Sequence, residues 1–207
     1  YLSSHKDINS HDKTEEFPYF SDTFLYDQGI EKIINTSFSK PFTDDNNSHI
    51  LCKSASAFHT YTSFKRIYNH NPNIQLICVL RNPIHRAFSA FAYARRCGWE
   101  KRESFNEAIR DCSFDSQIDS LEKRNCNYLF VGEYMNHINK LLEYFPKEQI
   151  KVILFDDLVA NTKEICQYYF ADNDLDFMDV DILKIHNIKK SSYFPSITKF
   201  LLGRNER

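Results

Sequence analysis

The sequence predicts an α/β protein of three layers, a central parallel sheet flanked by helices. Two observations lead there. Apolar runs of strand length alternate with stretches of helical period along the chain. One run, Ile74 to Leu80, is too continuously apolar to alternate in and out. That is the pattern of a strand buried on both faces of a parallel sheet.

The elements follow in order. Phe24, Leu25, Ile30, Ile33 and Ile34 recur near helical spacing and predict a helix over Asp22 to Phe38. Ser39 to Ser48 is polar, contains Pro41 and two Asn, and predicts a loop. A short strand is expected at His49 to Lys53 and a helix at Thr60 to Tyr68, ended by Asn69-His70-Asn71-Pro72-Asn73. After the strand Ile74 to Leu80 comes a helix over Ile84 to Arg96. Its closing Arg95-Arg96 matches the negative end of the helix dipole. Ser104 is a plausible N-cap for a helix to Asp111, with Glu107 at the capping-box position. Tyr134 to Phe145 is strongly periodic, and Pro146-Lys147-Glu148-Gln149 turns it into the strand Ile150 to Phe155. Asn161 or Thr162 caps a last helix to about Phe170. The tail is acidic to Asp181, then basic at Lys184, Lys189 and Lys190.

Composition narrows the function. The 207 residues suit one domain with a real core, and 42% hydrophobic with 15% aromatic residues excludes a disordered chain. A net charge of −2 gives no global bias toward nucleic acid, so any anion site is local. Only four glycines occur, which leaves no room for a Gly-rich phosphate loop in this stretch. No apolar run approaches the ~20 residues of a membrane span. The six cysteines form no CxxC pair, which argues against zinc. A disulfide among Cys97, Cys112 and Cys126 is open, but reduced thiols and a cytosolic setting are favoured.

The segment Leu76 to Phe91 carries the strongest chemical signal. A buried strand stops at Arg81, and Asn82-Pro83 opens a helix that contains Ser89 eight residues on. A helix start offers free N–H groups and a positive dipole end to an anion. Arg81 adds a planar fork for phosphate oxygens, and Ser89 a hydroxyl two turns further. The bland alternative is an arginine at a strand end paired with a carboxylate.

Leu80-Arg81-Asn82-Pro83-Ile84-His85-Arg86-Ala87-Phe88-Ser89 resembles the LRxPxxRxxSxY motif of sulfotransferases that use 3′-phosphoadenosine 5′-phosphosulfate (PAPS). Phe91 stands where the family usually has Tyr. The branch it resembles holds bacterial enzymes and Golgi glycan sulfotransferases, with a fold like that of P-loop nucleotide hydrolases. Gly98-Trp99-Glu100, Gly132-Glu133-Tyr134 and Phe155-Asp156-Asp157-Leu158 are similar to further family segments. The resemblance implies one sulfotransferase domain over residues 1–207, with Arg81 and Ser89 binding the nucleotide's 3′-phosphate. Glu15-Glu16-Phe17-Pro18-Tyr19-Phe20-Ser21 resembles the KExHFFS segment, with Glu16 at the general-base position. Cys52-Lys53-Ser54-Ala55 resembles the EKTP or GKSP turn, with Lys53 near the transferred group. Asn187 to Tyr193 resembles the NxxKGxY loop over the nucleotide, which implies cofactor binding by Lys190 and Tyr193. Tyr1-Leu2-Ser3-Ser4-His5 fits text that follows the family's KxGTTSL loop, so that loop for the 5′-phosphosulfate is expected just before Tyr1.

The resemblance implies sulfuryl transfer to a hydroxyl or amine, with a carbohydrate the first candidate, PAP as product and no metal. It implies a glycan or small-molecule acceptor, no nucleic-acid partner, and a bacterial cytoplasm ahead of the Golgi lumen. Partial burial of Glu16 would suit it to take the acceptor's proton. Tyr19, Phe20, Tyr61 and Trp99 are expected in the core or a cleft wall, and His59, His85 and His186 as packing or surface residues. Two other classes stay open: a P-loop small-molecule kinase, which needs magnesium and ATP, and a non-catalytic module that binds the nucleotide only.

Overall fold

A computed structural model describes residues 1–11, 16–38, 49–112 and 126–176. The loop expected at 39–48, and Lys190, Tyr193 and His186 in the tail, lie outside the described residues.

The described residues fall into two compact units. The first takes those of Tyr1–Val79 and His137–Ile185, the second those of Leu80–Asn136. In the first, strand β1 (Ile8–Ser10) runs parallel to β2 (His49–Leu51), with Ile8 opposite His49 and Ser10 opposite Leu51. Strands β3 (Leu76–Leu80) and β4 (Ile150–Leu154) form a second pair. The α/β class holds, and the described strands pair two and two. Strand β1 has no signature in the sequence: three residues are too few for a pattern.

Two expectations are corrected. The helix foreseen over Asp22 to Phe38 is two helices, α1 (Thr23–Asp27) and α2 (Ile30–Ser37). Gly29 separates them with φ of 83°, a left-handed conformation that glycine adopts without a Cβ penalty. Strand β3 is not buried on both faces, since Val79 is 46% exposed.

The remaining helices are α3 (Tyr61–His70), α4 (Pro83–Cys97), α5 (Phe105–Arg110), α6 (Tyr134–Leu142), α7 (Phe155–Ala160) and α8 (Thr162–Asp172). The first unit's main core is a stack of rings. Phe17, Tyr19, Phe20, Phe64 and Phe145 are buried together with Ile67 and Leu141. Each such side chain contributes about 1.5–3 kcal/mol by leaving water. A smaller cluster joins Ile8 of β1 to Cys166 and Phe170 of α8.

The second unit is built on α4. Its Ala87 and Phe91 pack against Ala108 of α5 and the buried Tyr128. Ser104 caps α5 by accepting the Glu107 N–H at 3.1 Å, as the sequence predicts. Gly98 ends α4 in the left-handed conformation at φ 75°. Beyond it, buried Glu100 is gripped by Arg102 through Nε–Oε1 and Nη2–Oε2 contacts, each 2.8 Å. Tyr128 donates its hydroxyl to Glu100 at 2.9 Å. This fully partnered carboxylate ties the end of α4 to the segment before α6.

Candidate functional site

In the first unit, Glu16 stands at the head of an aromatic anchor. Phe17, Tyr19 and Phe20 are all buried, which fixes the backbone on either side of them. The Phe17 N–H donates to the Lys53 carbonyl at 2.7 Å, so residues 36 positions apart lie side by side. The Glu16 Oε2 accepts the Ser56 N–H at 3.2 Å. Ser21 and Ser56 share a hydroxyl hydrogen bond of 2.9 Å, and Ser63 donates to the Phe20 carbonyl at 3.0 Å. Segment 16–21 is thus stapled to segment 53–63 by side chains and main chain together.

Glu16 and Lys53 are both exposed. The partial burial expected for Glu16 is therefore absent. Its carboxylate is oriented by a backbone N–H rather than by a pocket. Tyr19 and Phe20 are core residues, His59 is buried, and His85 is exposed.

In the second unit, Arg81 is half-buried and precedes the start of α4. Pro83 occupies the first helical position, where its missing N–H costs nothing. The Asn82 side chain accepts from Ile84 at 3.0 Å and from His85 at 3.2 Å. The Arg86 N–H bonds the Asn82 carbonyl at 2.9 Å. The first N–H groups of the helix are therefore spent internally. This corrects the expectation that they stand open to an anion. What α4 offers is its dipole and its side chains. Ser89 is exposed and lies seven residues past Asn82, close to two full turns, so it returns to the same face.

Arg86 is the residue that sequence reasoning left without a role. It donates from Nη2 to the Tyr128 carbonyl. Gly132 approaches it closely: a Cβ there would lie 3.5 Å from the Pro83 Cβ and 3.9 Å from Arg86 Nη2. Burial pushes the Tyr134 hydroxyl up, while the Arg86 charge and a hydrogen bond to the Arg81 backbone pull it down. The start of α4 is thus buttressed by residues 128–134. Arg81 at the rigid helix start offers a planar cation, and Ser89 two turns along offers a hydroxyl, side chains of the kind that bind a phosphate group.

All six cysteines are free thiols, including Cys97, Cys112 and Cys126. Among the described residues no group of His, Cys, Asp or Glu is arranged to hold a metal ion. No helix among them is long and apolar enough to cross a membrane.

Comparison with known proteins places these residues in context. The model of the sulfotransferase domain matches residues 1–171. Human heparan sulfate glucosamine 3-O-sulfotransferase 5 is 27% identical over 152 residues, covering 71% of this chain and 41% of that protein. The bifunctional heparan sulfate N-deacetylase/N-sulfotransferase of Drosophila melanogaster is 26% identical over 180 residues, 80% of this chain and 17% of that one. A human bifunctional heparan sulfate N-deacetylase/N-sulfotransferase 3 reaches 30% over 159 residues, 74% of this chain and 18% of that one. The chain spans less than half the length of these relatives. The crystal structure of a sulfotransferase from Alicyclobacillus acidocaldarius aligns with a TM-score of 0.70 over 90% of this chain and 79% of that one. At 23% identity it establishes the fold.

Proposed function

The chain belongs to the sulfotransferase domain family, and on that premise we propose that it moves a sulfuryl group from PAPS to a hydroxyl or amine of a carbohydrate. The observation that carries this reading is the reach of the family match. Residues 1–171 include Glu16, Lys53, Arg81 and Ser89 together. The same reach supports treating both units as one sulfotransferase domain. The named relatives carry heparan sulfate in their names, which supports a sugar acceptor. The free thiols support a reducing compartment such as a cytoplasm.

PAPS, when bound, supplies the sulfuryl group and departs as PAP. The chain's own residues hold and orient. Arg81 and Ser89 take the 3′-phosphate, and Lys190 and Tyr193 complete the grip on the nucleotide. Glu16 accepts the acceptor's proton, its carboxylate aimed by the Ser56 N–H. Lys53 stabilises the charge on the transferred group, as a preorganised cation does in the closely similar phosphoryl transfers.

Calorimetry with PAP tests the reading. Wild-type chain is expected to bind, and Arg81→Ala to lose about 1.5–3 kcal/mol, the range for hydrogen bonds to charged groups. No PAP binding would refute the nucleotide site and leave a structural domain. Binding without transfer of labelled sulfuryl from PAPS to glycan acceptors would leave a non-catalytic module.

A further inference from the structure

We propose that the C-terminal end of α4 carries a binding ridge for a polyanionic carbohydrate, built from Tyr93, Arg96, Trp99 and Lys101. The nature of the ligand rests on the carbohydrate reading above, and the ridge itself on the geometry of the second unit.

Tyr93 is 46% exposed, although Phe91 two residues earlier is buried. The Arg96 guanidinium lies over the Tyr93 ring at 4.9 Å. The Trp99 ring meets the same tyrosine edge-on at 5.6 Å and 67°. Gly98 creates this meeting. Its left-handed turn sends the chain back along the helix, and the Trp99 N–H bonds the Ala94 carbonyl at 2.9 Å. Arg95 then donates to the carbonyls of Lys101 at 3.3 Å and Arg102 at 2.8 Å. The exposed Lys101 is thereby held beside the helix end. Two aromatic rings and a stacked guanidinium share one place, with the Lys101 main chain fixed beside the same helix end.

Neutralising the helix dipole does not account for this charge. The C-terminal end of a helix presents about half a negative charge. Residues 93–103 hold Arg95, Arg96, Lys101 and Arg102 against Glu100 and Glu103, in a chain of net charge −2, and Arg102 is paired with Glu100 and Asp111. Helix α4 itself contains no acidic residue. Arg96 and Lys101 add positive charge at the end of a helix that has no acidic residue of its own.

Its chemistry suits a sulfated or carboxylated sugar. Aromatic faces pack on the apolar C–H faces of pyranose rings. A guanidinium pairs with sulfate or carboxylate oxygens through two parallel hydrogen bonds. An arginine already stacked on a tyrosine loses less freedom when it binds.

The test measures binding of the full chain to a short heparin oligosaccharide by calorimetry, and PAP affinity on the same samples. Arg96→Ala and Tyr93→Ala are each expected to weaken oligosaccharide binding about tenfold, with PAP affinity unchanged. Arg96→Lys keeps the charge without the fork and should fall between. Arg110→Ala removes one charge from an exposed site on α5 and should stay within about twofold. Wild-type binding in both Arg96→Ala and Tyr93→Ala would overturn the ridge. So would an equal loss in Arg110→Ala, or duplex DNA competing as well as heparin. A chain that binds heparin through Tyr93 and Arg96 but does not bind PAP would keep the ridge and refute the sulfuryl-transfer reading.

Discussion

Glu16 sits on a layer of buried rings, whereas Arg81 sits at the head of a hydrogen-bonded helix start. In the first unit, position is set by packing: Phe17, Tyr19 and Phe20 are sunk in a core and Glu16 is what remains outside. In the second, position is set by polar contacts of defined direction, from the Ile84 and His85 N–H groups to Asn82, from Arg86 to the Tyr128 carbonyl, and from Tyr128 to Glu100. Packing is tolerant of detail and costly to hollow out. Polar contacts are individually smaller, and those made by the Glu100 carboxylate depend on its protonation.

The largest expected effect tests whether the packed platform serves chemistry. Glu16→Gln should lower turnover by roughly 10²–10⁴, the usual worth of a general base, with PAP affinity close to wild type. Wild-type turnover in this variant would place the base elsewhere. Next comes the platform itself. Phe17→Ala empties a fully buried site and should cost about 3–5 kcal/mol in urea unfolding. A loss under about 1 kcal/mol, the range of an exposed substitution, would mean that the rings are not what holds Glu16.

The polar unit should respond to acid instead. Burial alone would raise the Glu100 pKa, but hydrogen bonds from Arg102 and Tyr128 outweigh it and hold the carboxyl below its usual value. A lowered pKa means that the folded state favours the carboxylate. The associated stability is present above the unfolded value of 4.5 and is lost as pH falls through the lower folded value. Unfolding measured from neutral pH down through this window should show that loss in wild type and a flatter profile in Glu100→Gln. Identical profiles would remove the carboxylate from the account. The smallest effect is the cap. Asn82→Ala should cost about 0.5–2 kcal/mol, read by thermal melting, and no change would show that the two N–H groups find other partners.

The same contrast governs what could be read from the sequence. The start of α4 was legible because its grammar is local: Asn82-Pro83 before an apolar helical period announces a capped helix. The same local grammar hid one detail, since Asn82 takes the Ile84 and His85 N–H groups that were expected to face an anion. The Glu16 platform was legible only as family resemblance. Its contact with the Ser56 N–H spans 40 residues, and no spacing rule encodes it. The break at Gly29 was visible as a glycine inside a helical period but was overridden by the flanking isoleucines. Strand β1 gains its identity only from its partner, 41 residues away.

Asn82 has one more consequence, for how such a site can change over generations. Where a loop binds an anion through main-chain N–H groups, affinity is written into the backbone and survives most substitutions. Here the cap consumes those groups, and on the proposed reading the contribution of α4 to recognition rests on two replaceable side chains, Arg81 and Ser89. On that reading, a lineage carrying this fold can weaken or retarget nucleotide binding at α4 with one or two codon changes while the helix and its cap stay in place.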